Sequence, residues 1–276
     1  MGFLKANRIP IRQGAQQDGL RRACGMARDI LLKTAKQVAV GITTREVDRF
    51  AVAEMKAMGC TSAFLGYRGF PGNICISINE EIVHGIGGPR LIQDGDIVKI
   101  DIGIYYDGWV GDNALTIPVG TVDPQVMRLL AATEESLHVA ISHARDGEML
   151  GTLCASVEEH VIQYGFTVVR EFVGHGVGRK LHEEPQVPNY GRKGERPRLQ
   201  AGMSLAIEPM VNLGVAKTRI LSDGWTAITQ DRKASAHYEH VVLVTAGEPE
   251  VLTWRERMFP LGVASLEQTT IVPAAA

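Results

Sequence analysis

The chain has 276 residues, of which 45% are hydrophobic and 22% charged, a composition that predicts a globular protein with ample apolar material for a core. Its 29 Lys and Arg nearly balance its 31 Asp and Glu, which argues against a protein built to grip nucleic acid or an anionic membrane. It has no apolar run long enough for a signal peptide or a membrane span, and its four cysteines form no CxxC pair. We therefore expect a cytoplasmic protein that is neither a disulfide scaffold nor a cysteine zinc protein.

The first part of the chain predicts two helices followed by strands. Apolar residues recur at steps of three and four over 15–38, which is typical of an amphipathic helix. A second helix is expected to start near Thr43, because Glu46 follows three residues later in a capping-box arrangement, and to stop at Gly59. Within 74–119, the β-branched runs ICISI, IVKIDIGIYY and ALTIPV predict strands.

The same order then repeats. Asp123 followed by Pro124 predicts the start of a third helix, and a fourth is expected from about Thr152 to Tyr164, with Gly165 as its stop. The strand-like segments that follow lie at 167–173, 203–207 and 239–245. We interpret the chain as an α+β fold with an internal duplication, whose sheets meet in one core.

Two aspartates stand in otherwise apolar strands. Asp101 lies where another Val or Ile is expected, and Asp112 follows beyond the turn signal Tyr106-Asp107-Gly108. With the hairpin centred between Tyr106 and Asp107, Asp101 and Asp112 face each other across the ladder, whereas Asp107 points to water in the turn. Two carboxylates so close repel unless a cation lies between them.

A histidine and two glutamates extend this set. The segment GHGVG predicts a glycine-rich turn, just past the strand that ends near Val173, and this turn presents His175. Glu208 ends the strand MSLAIE before a proline, and Glu239 opens the strand YEHVVLVT. Each residue alone has a structural explanation. Four carboxylates and one imidazole together suit a pair of divalent ions, which can lie about 3.5–4 Å apart and activate one water.

Five ordered segments carry a family resemblance: SINEEIVHG, IDIGIYYDGWVGDNA, GHGVGRKLHEEP, IEPMVN and DGWTAITQDRKASAHYEH. Together they resemble the motifs of type I methionine aminopeptidases, over roughly residues 10–253. The resemblance implies the pita-bread fold, with two pseudo-symmetric halves around a central antiparallel sheet. The expected division is an N-terminal extension at 1–14, one catalytic domain at 15–253 with halves at about 15–122 and 123–253, and a C-terminal tail at 254–276.

The resemblance also implies roles for individual residues. Two divalent ions (Co, Mn, Fe or Zn) would be bound by Asp101, Asp112, His175, Glu208 and Glu239. Glu208 would serve in addition as general base, and the further catalytic residues His84 and His182 would contact the substrate rather than the metals. The expected walls of the pocket for the methionine side chain are Phe64, Tyr67, Phe70, Cys75, Leu181, Met210 and Trp225.

The implied activity is two-metal-assisted removal of the initiator methionine from nascent polypeptides when the second residue is small. The expected protein is a cytoplasmic monomer that acts on nascent N-termini, with the ribosome as a candidate partner and without nucleic-acid specificity or membrane attachment. The helical insertion of the type II branch is missing, because only 25 residues separate His182 from Glu208 and 30 separate Glu208 from Glu239.

Two alternatives stay open at this point. The first is a proline-specific aminopeptidase of the same fold. Such enzymes usually carry an additional N-terminal domain, for which residues 1–14 leave no room. The second is a non-catalytic binding protein on this fold, a class that loses metal ligands, whereas all five are present here.

Overall fold

A computed structural model describes residues 9–268, in which helices cover antiparallel sheets. The helices are α1 (Ala15–Ala35), α2 (Thr44–Ala57), α3 (Pro124–Ser142), α4 (Leu150–Ile162) and α5 (Ala264–Gln268), with a 3-10 turn at Tyr67–Gly69. The strands are β1 (Thr61–Ser62), β2 (Cys75–Ile78), β3 (Glu81–Val83), β4 (Ile97–Tyr106), β5 (Trp109–Pro118), β6 (Thr167–Val168), β7 (Gly174–Gly176), β8 (Glu183–Val187), β9 (Ser204–Ile207), β10 (Met210–Asn212), β11 (Thr218–Ile220), β12 (Ala227–Thr229), β13 (Ser235–His237), β14 (His240–Leu243) and β15 (Glu250–Val251).

The helix starts follow the predicted caps. Thr43 is the N-cap of α2: its hydroxyl accepts a hydrogen bond from the Glu46 backbone N–H at 3.2 Å, and the Glu46 carboxylate accepts one from the Thr43 N–H at 2.8 Å. Asp123 caps α3 by accepting from the Gln125 N–H at 2.7 Å. The predicted capping box and the proline start are therefore confirmed. The predicted end of the first helix was too late, because α1 ends at Ala35.

All the pairings between these strands are antiparallel, so the α+β prediction is confirmed. In the first half β4 pairs with β5, β1 and β2, and α1 packs on β4 and β5. In the second half α3 and α4 pack on each other, α3 lies against β10 and β13, and α4 lies against β6. β5 also contacts β13 and β14, so the two halves meet along this strand.

The β4–β5 hairpin closes one peptide unit later than predicted. Tyr106 pairs with Trp109, which leaves Asp107 and Gly108 as a two-residue turn. Both turn residues have a left-handed φ, 49° for Asp107 and 71° for Gly108. This is the conformation of a type I′ turn, which Asp-Gly sequences favour because it matches the twist of the strands.

The hairpin register changes the relation between the two strand aspartates. Asp101 pairs with Ala114, and Asp112 pairs with Gly103. The prediction that Asp101 and Asp112 face each other directly is therefore wrong. They are diagonal neighbours, and both lie on the same face of the sheet because residues two apart on a strand point the same way.

His175 lies in a strand, so the prediction of a glycine-rich turn around it is wrong. β7 is paired on one side with β8 and on the other with β9. A Cβ at Gly174 would lie 2.4 Å from the carbonyl oxygen of Ala206, and one at Gly176 would lie 2.1 Å from that of Glu184. The glycines therefore serve to let the neighbouring backbones come close. The strand predicted at 167–173 is likewise shorter, since only β6 pairs there.

Both ends of the described chain pack onto the body. Arg12 is buried and forms an ion pair with Glu183. At the other end Arg255 and Phe259 are buried, and the Glu134 carboxylate on α3 accepts a hydrogen bond from the Phe259 N–H at 2.7 Å. The four cysteines are free, buried thiols. Within residues 9–268, none of the helices has the length and apolar character needed to span a membrane.

Candidate active site

A cavity of about 370 Å³ lies where the two halves meet, and it collects every site residue predicted from the sequence. The predicted metal ligands in its wall are Asp101, Asp112, His175, Glu208 and Glu239. The predicted substrate contacts in its wall are Phe64, Tyr67, Phe70, Cys75, His84, Leu181, His182, Met210 and Trp225.

Strand pairing brings the five candidate metal ligands together. Asp101 lies in β4, Asp112 in β5 and His175 in β7, whereas Glu208 directly follows β9 and Glu239 directly precedes β14. One ligand atom each from Asp112, His175 and Glu239 lies within 4.8 Å of the other two. The Nε2 atom of His175 is 3.5 Å from Oε1 of Glu208 and 3.8 Å from Oδ2 of Asp112. Asp112, His175 and Glu239 therefore have the spacing of ligands around a shared cation, and Glu208 lies beside His175.

Strand β5 joins the aspartates of the β4–β5 hairpin to Glu239 of the second half. The Ala114 backbone carbonyl accepts a hydrogen bond from the Glu239 N–H at 2.9 Å, and Ala114 is also the pairing partner of Asp101. The guanidinium of Arg255 donates to the same carbonyl at 2.8 Å. Glu239 is thus held beside the hairpin aspartates by backbone contacts that leave its carboxylate free.

The four carboxylates are crowded together in a buried site. Burial raises the pKa of Asp101, Asp112, Glu208 and Glu239 well above their ordinary values, and neighbouring carboxylates raise each of them further. Buried oxygens of Asp101, Asp112 and Glu239 have no hydrogen-bond partner. Unpartnered buried carboxylate oxygens are costly unless a cation binds them, so the donor set fits divalent metal ions.

His175 is held in the tautomer that a metal ligand needs. Its Nδ1 lies 2.9 Å from the carbonyl oxygen of Gly176, which can only accept, so Nδ1 carries the hydrogen. Burial lowers the pKa of His175 to about 4, and the ring is therefore neutral near pH 7. Its Nε2 lone pair faces the carboxylates, and the Gly176 contact fixes the ring orientation.

Two further histidines line the cavity without joining the carboxylates. Nδ1 of His182 lies 2.8 Å from the Tyr67 hydroxyl, and its ring centroid is 4.1 Å from that of His175. Burial lowers the pKa of His182 to about 3, and the neighbouring His175 imidazole and Arg68 guanidinium act in the same direction. Burial also lowers the pKa of His84 to about 4, and its φ of 62° is left-handed, a strained conformation that concentrates at functional sites. Both rings are neutral near pH 7.

One end of the cavity is an apolar pocket. Phe70 and Trp225 meet edge to face with ring centroids 5.2 Å apart. Cys75 and Met210 are buried, and burial raises the pKa of the Cys75 thiol well above its usual range. An uncharged, largely aromatic wall with sulfur in it suits a flexible apolar side chain.

Sequence reasoning missed several residues of this region. Nε2 of His237 is buried 3.7 Å from Oε2 of Glu208 and has no hydrogen-bond partner. The sequence feature that could have pointed to His237 is its position two residues before Glu239, because alternate residues of an extended chain share a face. Phe172, whose ring lies 5.2 Å from that of His84, and Arg68 also line the cavity. Neither carried a signal in the sequence that pointed to the site.

Comparison with known proteins shows the family to which the chain belongs. Residues 18–246 match the metallopeptidase family M24, and the chain belongs to this family. It is 47% identical over 218 residues to methionine aminopeptidase 1 of Bacillus subtilis (strain 168), which covers 79% of this chain and 88% of that protein. It is 44% identical over 245 residues to the methionine aminopeptidase of Clostridium perfringens, with 89% and 98% covered. Within family M24, the chain therefore falls among the methionine aminopeptidases.

Solved structures agree with this placement. The crystal structure of methionine aminopeptidase from Thermotoga maritima has a TM-score of 0.88 and 38% identity, and the match covers 90% of this chain and all of that chain. Prolidase from Pyrococcus furiosus has a TM-score of 0.73 at 24% identity, with 90% of this chain and 66% of that chain covered, a likeness in fold alone. The predicted pita-bread fold is confirmed.

Proposed function

We propose that this protein removes the N-terminal methionine from polypeptides by metal-assisted hydrolysis of the first peptide bond. One observation carries the proposal. Buried carboxylates with unpartnered oxygens meet a neutral histidine in the same cavity that is lined on another side by apolar and aromatic side chains. The carboxylates that would bind a cation thus lie beside the apolar side chains that would bind a methionine.

The metal site is the first part of this proposal. Asp101, Asp112, His175, Glu208 and Glu239 would hold two divalent ions of the Co, Mn, Fe or Zn kind, since oxygen-rich sites with one imidazole accept all of them. When bound, such ions polarise a carbonyl oxygen and bring the pKa of a coordinated water near neutrality. All other steps belong to the residues of the chain.

Glu208 is our candidate for the proton shuttle. Its two carboxylate oxygens lie beside His175 and His237, its side chain retains 14% exposure, and it lines the cavity. Its carboxylate would take the proton of the attacking water and pass it to the departing amine of the second residue.

His182 and His84 would act on the peptide bond itself. The Tyr67 hydroxyl donating to Nδ1 of His182 would leave the hydrogen on Nε2, available to the oxygen of the first residue. His84 would hold the leaving nitrogen. Because both rings are neutral near pH 7, they donate hydrogen bonds without adding positive charge beside the metal ions.

The apolar pocket would set the specificity for methionine. Its walls of Phe70, Trp225, Cys75 and Met210 surround an unbranched thioether without demanding a hydrogen bond from it. The second residue would have to be small, because His84 and His182 both need to reach the same amide. A bulky side chain there moves the amide from its reactive position, which slows the reaction steeply.

We further propose a cytoplasmic monomer that acts on nascent chains as they leave the ribosome. The substrate supports the action at the ribosome, since an initiator methionine becomes accessible when a new chain emerges. Size-exclusion chromatography with light scattering tests the monomer. Co-sedimentation with translating ribosomes tests the partner, and recovery in the free fraction alone would contradict it.

Hydrolysis of Met-Gly and X-Pro peptides, with and without added divalent ions, tests the activity. We expect metal-dependent cleavage of Met-Gly and none of X-Pro. Full activity in exhaustively chelated protein that analysis shows to be metal-free would refute the metal proposal. Cleavage of X-Pro alone would refute the methionine pocket. Neither alternative is supported by a specific observation, because the prolidase likeness is one of fold alone and all five ligands are present.

A further inference from the structure

A second cavity of about 530 Å³ adjoins the active site. The two cavities share wall residues, among them Arg68 and His182. From there the second cavity continues between the backbone near Pro10 and the segment that carries Arg179 and Lys180. The active site therefore opens, past His182, into a passage that is larger than the site itself.

The walls of this passage carry free positive charge. Arg68, Arg179 and Lys180 are exposed, and none of them has an ion-pair partner within residues 9–268. The nearby Glu183 does not compensate them, because its carboxylate is paired with the buried Arg12 and accepts hydrogen bonds from the backbone N–H groups of residues 179 and 180 at 2.9 and 3.1 Å. Its charge is already neutralised inside the protein.

Two of these cations are anchored. The guanidinium carbon of Arg179 lies 3.9 Å from the ring centroid of Trp109, and its NH1 donates to the Gly108 carbonyl at 2.9 Å. The guanidinium carbon of Arg68 lies 5.4 Å from the ring centroid of Tyr67. Stacked guanidinium groups lose less conformational freedom when they bind a ligand. Glu184 is also exposed in this wall, so the wall is not uniformly positive. The three cationic side chains still outnumber this one carboxylate, and the passage keeps an excess of positive charge.

The course of a bound substrate leads into this passage. With the first side chain in the apolar pocket and the scissile bond at His182, the remaining chain has to leave the central cavity. An extended chain advances about 3.3 Å per residue, so the third residue is the first that lies beyond His182. The third to fifth residues would then run between Arg68 and Lys180.

We propose that this passage is an extended binding groove for the third to fifth substrate residues, and that it favours acidic side chains there. This inference rests on the proposed function and names the class of polypeptide that the site prefers. Carboxylates at these positions would pair with Arg68, Arg179 and Lys180, whereas lysines would be repelled by them. The groove would bind substrate and transition state alike, so the preference belongs to KM rather than to kcat.

Three pentapeptides test the groove: Met-Ala-Asp-Asp-Asp, Met-Ala-Ser-Ser-Ser and Met-Ala-Lys-Lys-Lys, assayed with the metal-loaded enzyme. Exposed ion pairs are individually weak, and three acting together should raise kcat/KM of the acidic peptide about tenfold over the basic one at low ionic strength. The ratio should shrink at about 0.5 M NaCl, because salt screens exposed charges.

A charge-reversal variant with a matched control assigns the effect. In Arg68→Asp/Lys180→Glu, the ratio of acidic to basic kcat/KM should fall to one or below; Asp is chosen because the φ of Arg68 is left-handed at 51°, a conformation that Asp tolerates. In the control Lys56→Glu/Arg128→Glu, which reverses two exposed charges on α2 and α3, the ratio should stay at the wild-type value.

The outcomes separate the groove from the activity. Cleavage of all three peptides by the wild type with equal kcat/KM overturns the groove and leaves the proposed function intact. An equal loss of the ratio in both double variants also overturns it, since net charge alone would then be responsible. Failure to cleave any of the three would refute the proposed function instead.

Discussion

Removal of the divalent ions should destabilise this protein by an amount that grows as the pH rises. In the metal-free protein the raised pKa values of Asp101, Asp112, Glu208 and Glu239 mean that the folded state binds more protons than the unfolded state. The free energy of unfolding therefore falls as the pH rises above the ordinary carboxyl pKa of about 4. A bound ion replaces those protons, so metal affinity and metal-linked stability increase with pH.

The size of the effect follows from the number of protons displaced. An ion present at about 1,000 times its dissociation constant adds about 4 kcal/mol, which for a chain of this size corresponds to roughly 8–12 °C in Tm. Each displaced proton changes the dissociation constant about tenfold per pH unit, or about 1.4 kcal/mol. Three carboxylate oxygens lack any partner, so we expect one or two protons per ion and a change of about 3–8 °C per pH unit.

Thermal unfolding followed by circular dichroism, with Mn²⁺ or with chelator, measures this difference between about pH 5.5 and pH 8. Asp112→Asn should reduce both the Tm difference and its slope with pH. Asp107→Asn is the matched control, because this exposed carboxylate lies in the type I′ turn outside the cavity and Asn-Gly keeps that turn. A Tm difference that stays constant, or that widens toward low pH, would refute the reasoning.

Three further predictions concern roles, selectivity and stability. His182→Ala should keep its bound metal and lose about 100-fold in kcat, whereas Asp112→Ala should lose metal by elemental analysis; equal metal loss in both would mean that His182 is a ligand. Met-Ala peptides should be cleaved much faster than Met-Arg peptides, and comparable kcat/KM values would show that the site beside His84 is open. Thr43→Ala should lower Tm by about 2–3 °C, since it removes the N-cap of α2 at a cost of about 1 kcal/mol, and an unchanged Tm would contradict the importance of that cap.

Features that depend on neighbours in the sequence were predictable. The capping box of Thr43 and Glu46 and the start of α3 at Pro124 involve residues a few positions apart, so the sequence alone specifies them. The end of α1 at Ala35 was not, because apolar spacing continues to Val38 after the last helical hydrogen bonds. Periodicity indicates which face is buried, not where the backbone leaves the helix.

Features that depend on distant neighbours were predicted less well. The backbone around His175 looked like a turn because glycines surround it, yet close strands on both sides make it a strand. The hairpin register was shifted because several turns fit a YYDG sequence, and only the paired strands decide which one forms. His237 escaped notice since its approach to Glu208 joins segments that are separate in the chain.

The sequence by itself predicted the residue types of the candidate site: the motifs, the four carboxylates and the imidazole, and the expected residues of the apolar pocket. The tertiary structure alone decided that Asp101 and Asp112 are diagonal rather than opposite, which tautomer His175 adopts, and which carboxylate oxygens lack a partner. It also decided that a positively charged passage continues from the site. The physical reason is that donor and acceptor types are properties of single residues, whereas burial, hydrogen-bond partners and charge balance arise from contacts between strands far apart in the chain.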